Sequence, residues 1–351
     1  MTAAPSLDDW PGLIEAHVRY RERYEPRADA FRERLSATLD REIALFARSF
    51  CGADALSAKL EPVTRHLHDY LLWLRWSAWL STTLAPPLRL EAEVDAFRLS
   101  IATLTYLGAR LVDDGMDDHR TFKGKTDTLV GRLATAYPEI DPVVLRCQSA
   151  LMGFSVLHHG LRRLRSAGFV EAAEAVSRLF GRVAPGIVAE TFCDPAALTG
   201  EEYRQIILRK SVSYDMILYR TFLDPIEPGV REPVLDALAA LSEVAQYLND
   251  LADHDDDAAR AQPSILHWYS GTEDFRGALW HRCLELLRAR FTVLEELPDP
   301  SRDASRDALC SMAFRVFKAS KRLWATPGEA PSRETSSRET PSRETPSRET
   351  R

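Results

Sequence analysis

Apolar residues recur three and four positions apart along almost the whole chain, the spacing of one face of an α-helix. Segments 90–114 (LEAEVDAFRLSIATLTYLGARLVDD), 141–168, 172–192, 201–223, 231–257 and 273–297 all carry this period. Segment 70–85 (YLLWLRWSAWLSTTLA) reads as one further, buried helix. Pro, Gly and Asp clusters such as DPAALTG (194–200) and DPIEPGV (224–230) separate the helical runs. No run alternates apolar and polar residues as a half-buried strand would. The pattern predicts an all-α bundle, one domain of about ten helices spanning residues 1–325.

The last residues break the pattern. PSRET repeats fill 331–350 with Pro, Ser, Arg, Glu and Thr, and with no apolar side chain to bury. Residues 326–351 are therefore predicted to be a disordered low-complexity tail.

Composition narrows the function classes. Of 351 residues, 45% are hydrophobic, enough for a sizeable core. Acids outnumber bases 52 to 45, which argues against a nucleic-acid surface. Five cysteines (51, 147, 193, 283 and 310) are dispersed and form no CxxC pair, so reduced thiols in the cytoplasm are expected. The N-terminal residues have no basic-then-apolar leader, and the most apolar run is cut by Arg75 and is too short for a membrane span. GxSxG, P-loop and GxGxxG elements are missing, which removes support for serine hydrolase, NTPase and Rossmann chemistry.

The acidic clusters carry the candidate chemistry. In RLVDDGMDDHRTFKGK (110–125), Asp113 and Asp117 are four apart and share a helix face, with Asp114 one step round. In QYLNDLADHDDD (246–257), Asn249, Asp253 and Asp257 form a second ladder at four-residue intervals. One such ladder alone also suits a solvated acidic helix end. Two of them, each closing a long apolar helix, suit hard divalent cations such as Mg²⁺. Mg²⁺ commonly binds through one or two carboxylates plus a substrate phosphate, so facing ladders can grip ions around a diphosphate.

These residues resemble the class I terpenoid synthase superfamily, which includes the trans-isoprenyl diphosphate synthases and the ionising terpene cyclases. DDGMDDHRTFKGKTDT is similar to the first synthase motif, DDxxD followed by a basic RRGK segment, with Lys123, Gly124 and Lys125 at its end and Phe122 in an arginine's place. QYLNDLAD resembles the second motif, FQxxDDxxD, with Gln246, Asp250 and Asp253 kept and Asn249 replacing an Asp. Lys210-Ser211 resembles the lysine segment between them.

The resemblance implies a helical bundle around a central apolar cavity, with three Mg²⁺ ions held by Asp113, Asp114, Asp117, Asn249, Asp253 and Asp257. It implies diphosphate binding by Lys210, Arg209, Lys123 and Lys125, and a tail pocket lined by Phe192, Tyr214, Gln246 and Tyr247. It further implies that Gly108 and Ala109 floor that pocket; both are small, so a C20 prenyl diphosphate is the expected substrate, ahead of C15. It also implies a homodimer.

The departures favour cyclisation. No N-terminal GGKxxRP segment is present to anchor isopentenyl diphosphate, Phe122 breaks the arginine pair, and NDLADHDDD fits the cyclase triad pattern. Against this, the Arg-Tyr pair of bacterial cyclases is not evident in KRLWATPG (321–328). The expected activity is a Mg²⁺-dependent terpene cyclase whose last proton goes to bound pyrophosphate. A trans-prenyl diphosphate synthase and a non-catalytic partner subunit of such a synthase are the alternatives.

Overall fold

The computed structural model describes residues 10, 12–52, 56–117, 120–122, 126–194, 197–252, 264–265, 275–298 and 301–324. Among them are twelve α-helices: α1 (Leu13–Arg23), α2 (Glu25–Cys51), α3 (Ser57–Leu74), α4 (Glu93–Met116), α5 (Leu129–Ala136), α6 (Pro142–Ser166), α7 (Val170–Phe192), α8 (Gly200–Ile207), α9 (Ser213–Phe222), α10 (Pro228–Ala252), α11 (Phe275–Thr292) and α12 (Ser301–Trp324). A two-residue antiparallel ribbon, Thr121–Phe122 with Thr126–Asp127, follows α4. The fold is all-α, as the helical period predicts. The expected tail, 326–351, lies outside the described residues.

Local chemistry sets several boundaries. Asp141 caps α6 by accepting from the Val143 amide (2.8 Å), with Pro142 at the first helical position. Thr199 and Glu202 cap α8 reciprocally, side chain to backbone in both directions (3.2 and 2.8 Å).

The single helix expected over 70–85 is broken. α3 stops at Leu74 and gives way to 3₁₀ turns at Arg75–Ala78 and Ser81–Leu84. Ser81, Thr82 and Thr83 compete for backbone groups, as when Thr82 donates to the Trp79 carbonyl (2.6 Å), and Pro86-Pro87 bars further helix.

α4 is the central element. Its residues contribute to three apolar clusters: Leu99 to one with α9, α10, α11 and α12, Leu107 to one with α2, α3, α5 and α6, and Ile101 to one with α7 and α9. Against α6 it comes nearly to backbone contact. A Cβ on Gly108 would lie 2.8 Å from the Gly153 carbonyl oxygen, and one on Gly153 would lie 2.6 Å from that of Gly108. Among the described residues no helix is long and apolar enough to cross a membrane.

Candidate active site

The C-terminal end of α4 presents two of its carboxylates to one lysine. Lys210 Nζ lies 3.2 Å from Asp113 Oδ1 and 3.1 Å from Asp117 Oδ2, and it also pairs with Glu190 of α7. Lys210 sits in a π-helical turn, Leu208–Val212, between α8 and α9. Such widened turns occur mostly at functional sites. α7 accepts this turn because Gly186 has no side chain; a Cβ there would stand 2.8 Å from the Lys210 amide.

Three carboxylates around one ammonium leave a formal net charge of −2 on Asp113, Asp117, Glu190 and Lys210. Burial alone would lower the Lys210 pKa, but Asp113, Glu190 and Asp117 carry it well above the ordinary lysine range. Burial raises that of Glu190, against Lys210's opposing pull and with help from Asp117 and Asp113. The donor set is therefore over-acidic and made of oxygen atoms, which fits a hard divalent cation. Among the described residues no three His, Cys, Asp or Glu side chains form a ready-made metal site.

Asp114, expected as a ligand, turns away from this group. Tyr70 donates to its Oδ2 (2.7 Å) and Arg110 reaches its Oδ1 (3.0 Å) and Asp113 Oδ2 (3.3 Å). One step round the helix is about 100°, enough to send adjacent carboxylates to different neighbours. Asp114 thus ties α4 to α3, and Arg110 orients both acids. Neither Arg110, Tyr70 nor Glu190 was singled out from the sequence. Arg110 was legible, three and four residues before the two aspartates; Glu190, inside GIVAETF, carries no local signal.

The second ladder is described only in part. Asn249 is half-buried on α10, whereas Asp253 and Asp257 lie outside the described residues, as do Lys123 and Lys125. Asp250 is buried and satisfied by Tyr203 Oη (2.7 Å), Gln246 Nε2 (2.8 Å) and the Ile265 amide (3.0 Å). Gln246, expected in the tail pocket, is thus committed to Asp250.

Other pocket expectations are corrected. Gly108, expected as a pocket floor, packs on α6, where a Cβ would meet the backbone of Gly153 and Leu157. Phe192, expected in the tail pocket, is 82% exposed at the end of α7. Tyr247 is a core residue whose hydroxyl donates to Glu243 (2.6 Å), itself clamped by Arg204 (2.6 Å). Arg209 is exposed, and Lys210 alone of that pair reaches the carboxylates.

Ala109 is fully buried against α7 and α9, and its carbonyl accepts a hydrogen bond from Tyr214. Tyr106, seven residues and two turns before Asp113 on the same face, packs edge-on to Tyr214 with centroids 6.2 Å apart. Two aromatic rings therefore stand below Asp113, where small residues were expected to leave depth.

No family model and no curated protein matches the sequence. Solved structures do match the fold. A decaprenyl diphosphate synthase from Rhodobacter capsulatus aligns over 86% of this chain and 99% of its own, at 15% identity and a TM-score of 0.60. A polyprenyl synthase from Caulobacter crescentus, complexed with calcium and isoprenyl diphosphate, aligns over 82% and 96% at 14% identity and a TM-score of 0.57. A geranylgeranyl pyrophosphate synthase from Corynebacterium glutamicum, complexed with isoprenyl diphosphate and magnesium, aligns over 85% and 90% at 16% identity and a TM-score of 0.51. The chain thus has the helical fold of the trans-isoprenyl diphosphate synthases, the fold they share with class I terpenoid synthases.

Proposed function

We propose that this protein is a divalent-metal-dependent enzyme that ionises an allylic prenyl diphosphate. The observation that carries the reading is the meeting of Asp113 and Asp117 with Lys210 at the end of the central helix. Asp113 and Asp117 would hold Mg²⁺, with Asn249 and, by the sequence motif, Asp253 and Asp257 serving from α10 and beyond it. Bound Mg²⁺ supplies neutralising charge to the departing diphosphate. Lys210 steadies the leaving anion, Arg110 fixes the aspartate rotamers, and the apolar walls keep water from the allylic cation. Lys123 and Lys125 remain proposed diphosphate contacts.

Two fates are open to the cation. Capture by isopentenyl diphosphate, giving a longer diphosphate, is the primary reading, because the structural relatives are named as prenyl diphosphate synthases. Cyclisation without a second substrate is the other reading, favoured by Phe122 in place of an arginine and by the ion-paired state of N-terminal bases such as Arg19 (with Asp307) and Arg32 (with Glu25). A homodimer is proposed through the outer faces of α6 and α7, where Val143, Leu151, Phe154 and Val188 are exposed. The five free cysteines suit a reducing compartment.

The test supplies C10, C15, C20 and C25 allylic diphosphates with Mg²⁺, with and without isopentenyl diphosphate, and measures pyrophosphate and organic products. Pyrophosphate and a longer diphosphate only with isopentenyl diphosphate support elongation. Pyrophosphate and hydrocarbon or alcohol without it support cyclisation. No pyrophosphate under either condition ends the proposal.

A further inference from the structure

Lys210 is held from α7 at two points. Gly186 and Glu190 are four residues apart and share one face of that helix. Gly186 admits the backbone of the π turn, where a Cβ would stand 2.8 Å from the Lys210 amide nitrogen and 3.1 Å from the Arg209 carbonyl carbon. One turn on, the Glu190 carboxylate accepts a hydrogen bond from Lys210 Nζ. One helix face thus fixes both the main chain and the ammonium of the same residue. Glu190 belongs to neither acidic ladder, and among the described residues its ion pair is with Lys210.

The two aspartates are placed differently. They stand one turn apart on α4, and Arg110 also reaches Asp113 (3.3 Å). An ammonium has three donors, and three carboxylates from two helices converge on this one. In the ionisation reading a divalent cation takes Asp113 and Asp117, and its charge repels the ammonium that they share. Glu190 is the carboxylate left to keep Lys210 in place. It is placed for that role rather than for the metal, because among the described residues no three acids form a ready-made metal site.

We propose that Glu190 is a positioning residue that keeps Lys210 turned to the substrate's diphosphate once the metal has taken Asp113 and Asp117. The inference rests on the ionisation reading above and holds for either fate of the cation, because the diphosphate leaves in both. Charge alone argues the other way. A carboxylate near a diphosphate repels it, so removing Glu190 should strengthen anion binding. Positioning makes the same change weaken it, so the two accounts differ in sign. Positioning also leaves Glu190 without effect on diphosphate binding once Lys210 is gone, so the losses from removing each should not add.

The test measures binding of inorganic pyrophosphate in saturating Mg²⁺ by isothermal titration calorimetry. Wild type, Glu190→Ala, Glu190→Gln, Lys210→Met and the Glu190→Ala/Lys210→Met double variant are compared. Binding of Mg²⁺ alone, thermal melts and pyrophosphate release from C15 and C20 allylic diphosphates are recorded beside it. Lys210→Met should bind pyrophosphate at least about ten-fold more weakly, the scale of one charge-assisted hydrogen bond. Glu190→Ala should lose about five-fold or more, and the double variant should bind within about two-fold of Lys210→Met. Glu190→Gln keeps an oxygen to accept from Lys210 and should fall between Glu190→Ala and wild type. It carries the comparison if Glu190→Ala melts below the assay temperature. The KM for the allylic diphosphate should follow the same order. Pyrophosphate binding as tight as wild type or tighter in the Glu190 variants, or full addition of the two losses, would overturn the inference. So would a loss of affinity for Mg²⁺ alone in Glu190→Gln that exceeds its loss for pyrophosphate, which would make Glu190 a metal ligand. A wild type that binds pyrophosphate but releases none from allylic diphosphates would end the ionisation reading, while the binding comparison would still decide the role of Glu190. A wild type that binds no pyrophosphate would overturn both.

Discussion

Replacing Lys210 with Met removes one ammonium and leaves Asp113, Asp117 and Glu190 facing each other with a formal charge of −3. Breaking a buried ion pair from one side costs about 3–5 kcal/mol. Asp117 and Glu190 keep 16% and 24% of their side-chain surface, so solvent screening brings the expected loss down to about 2–3 kcal/mol. At roughly 2 °C per kcal/mol for a chain of this size, Lys210→Met should melt about 5 °C below wild type at pH 7 in chelator. The loss should depend on pH in a defined direction. Glu190 is already raised in the wild type, and without Lys210 its folded-state pKa rises further above its unfolded value. The folded protein then binds more protons than the unfolded one, so stability falls as pH climbs from the unfolded to the folded pKa of Glu190 and levels off above it. The deficit should therefore be smallest at pH 5 and largest at pH 8. Mg²⁺ at a hundred times its Kd adds about 2.7 kcal/mol, enough to restore most of the loss. The assay is thermal melting followed by circular dichroism at pH 5, 6, 7 and 8, with chelator and with Mg²⁺. A variant that melts alike at pH 5 and pH 8, or that Mg²⁺ fails to stabilise, would refute the over-acidic cluster.

Three further outcomes follow from the same geometry. Asp113→Asn should cut pyrophosphate release at least about a hundred-fold, roughly 2.7 kcal/mol of barrier, with far-ultraviolet circular dichroism unchanged. Tyr106→Ala removes one of the two rings below Asp113; turnover of C20 relative to C15 substrate should rise at least several-fold, at a stability cost of about 3 kcal/mol measured by denaturant titration. Gly153→Val drives a side chain into the Gly108 carbonyl and the Val112 amide, 2.6 and 2.8 Å from the new Cβ, and should cost about 3 kcal/mol or abolish soluble expression.

Helical content and the first acidic ladder were legible because both rest on residues three and four apart, which a helix brings together without tertiary help. α4 is predicted over 90–114 and observed at Glu93–Met116, and Asp113 and Asp117 meet at Lys210 because their four-residue spacing is itself a geometry. What the spacing leaves out is which side of a helix meets which neighbour. Gly108 reads equally well as the floor of a pocket or as a contact for another helix, and only the position of Gly153 on α6 separates the two. Glu190 and Tyr70 join the site from helices remote in sequence, so no local pattern marks them. Phe192 failed for the opposite reason: an aromatic near a motif says nothing about the direction of its ring, and this one points to solvent. The break at Leu74 was visible in principle, since Ser81-Thr82-Thr83 followed by Pro86-Pro87 opposes helix, but the apolar run outweighed it.

The π turn at Leu208–Val212 carries the lysine of the candidate site. A turn closed by bonds to the fifth residue takes more residues per revolution than a regular α-helix, so it changes the direction in which its side chains leave the backbone. From this widened turn Lys210 reaches the α4 carboxylates. Gly186 makes this possible by letting α7 lie against the bulged backbone. Gly186→Ala would press its Cβ to 2.8 Å from the Lys210 amide and favour a regular helix in place of the π turn. It should lower pyrophosphate release by drawing Lys210 away from Asp113 and Asp117. If Gly186→Ala left release unchanged, the turn would not be what holds Lys210 at the carboxylates.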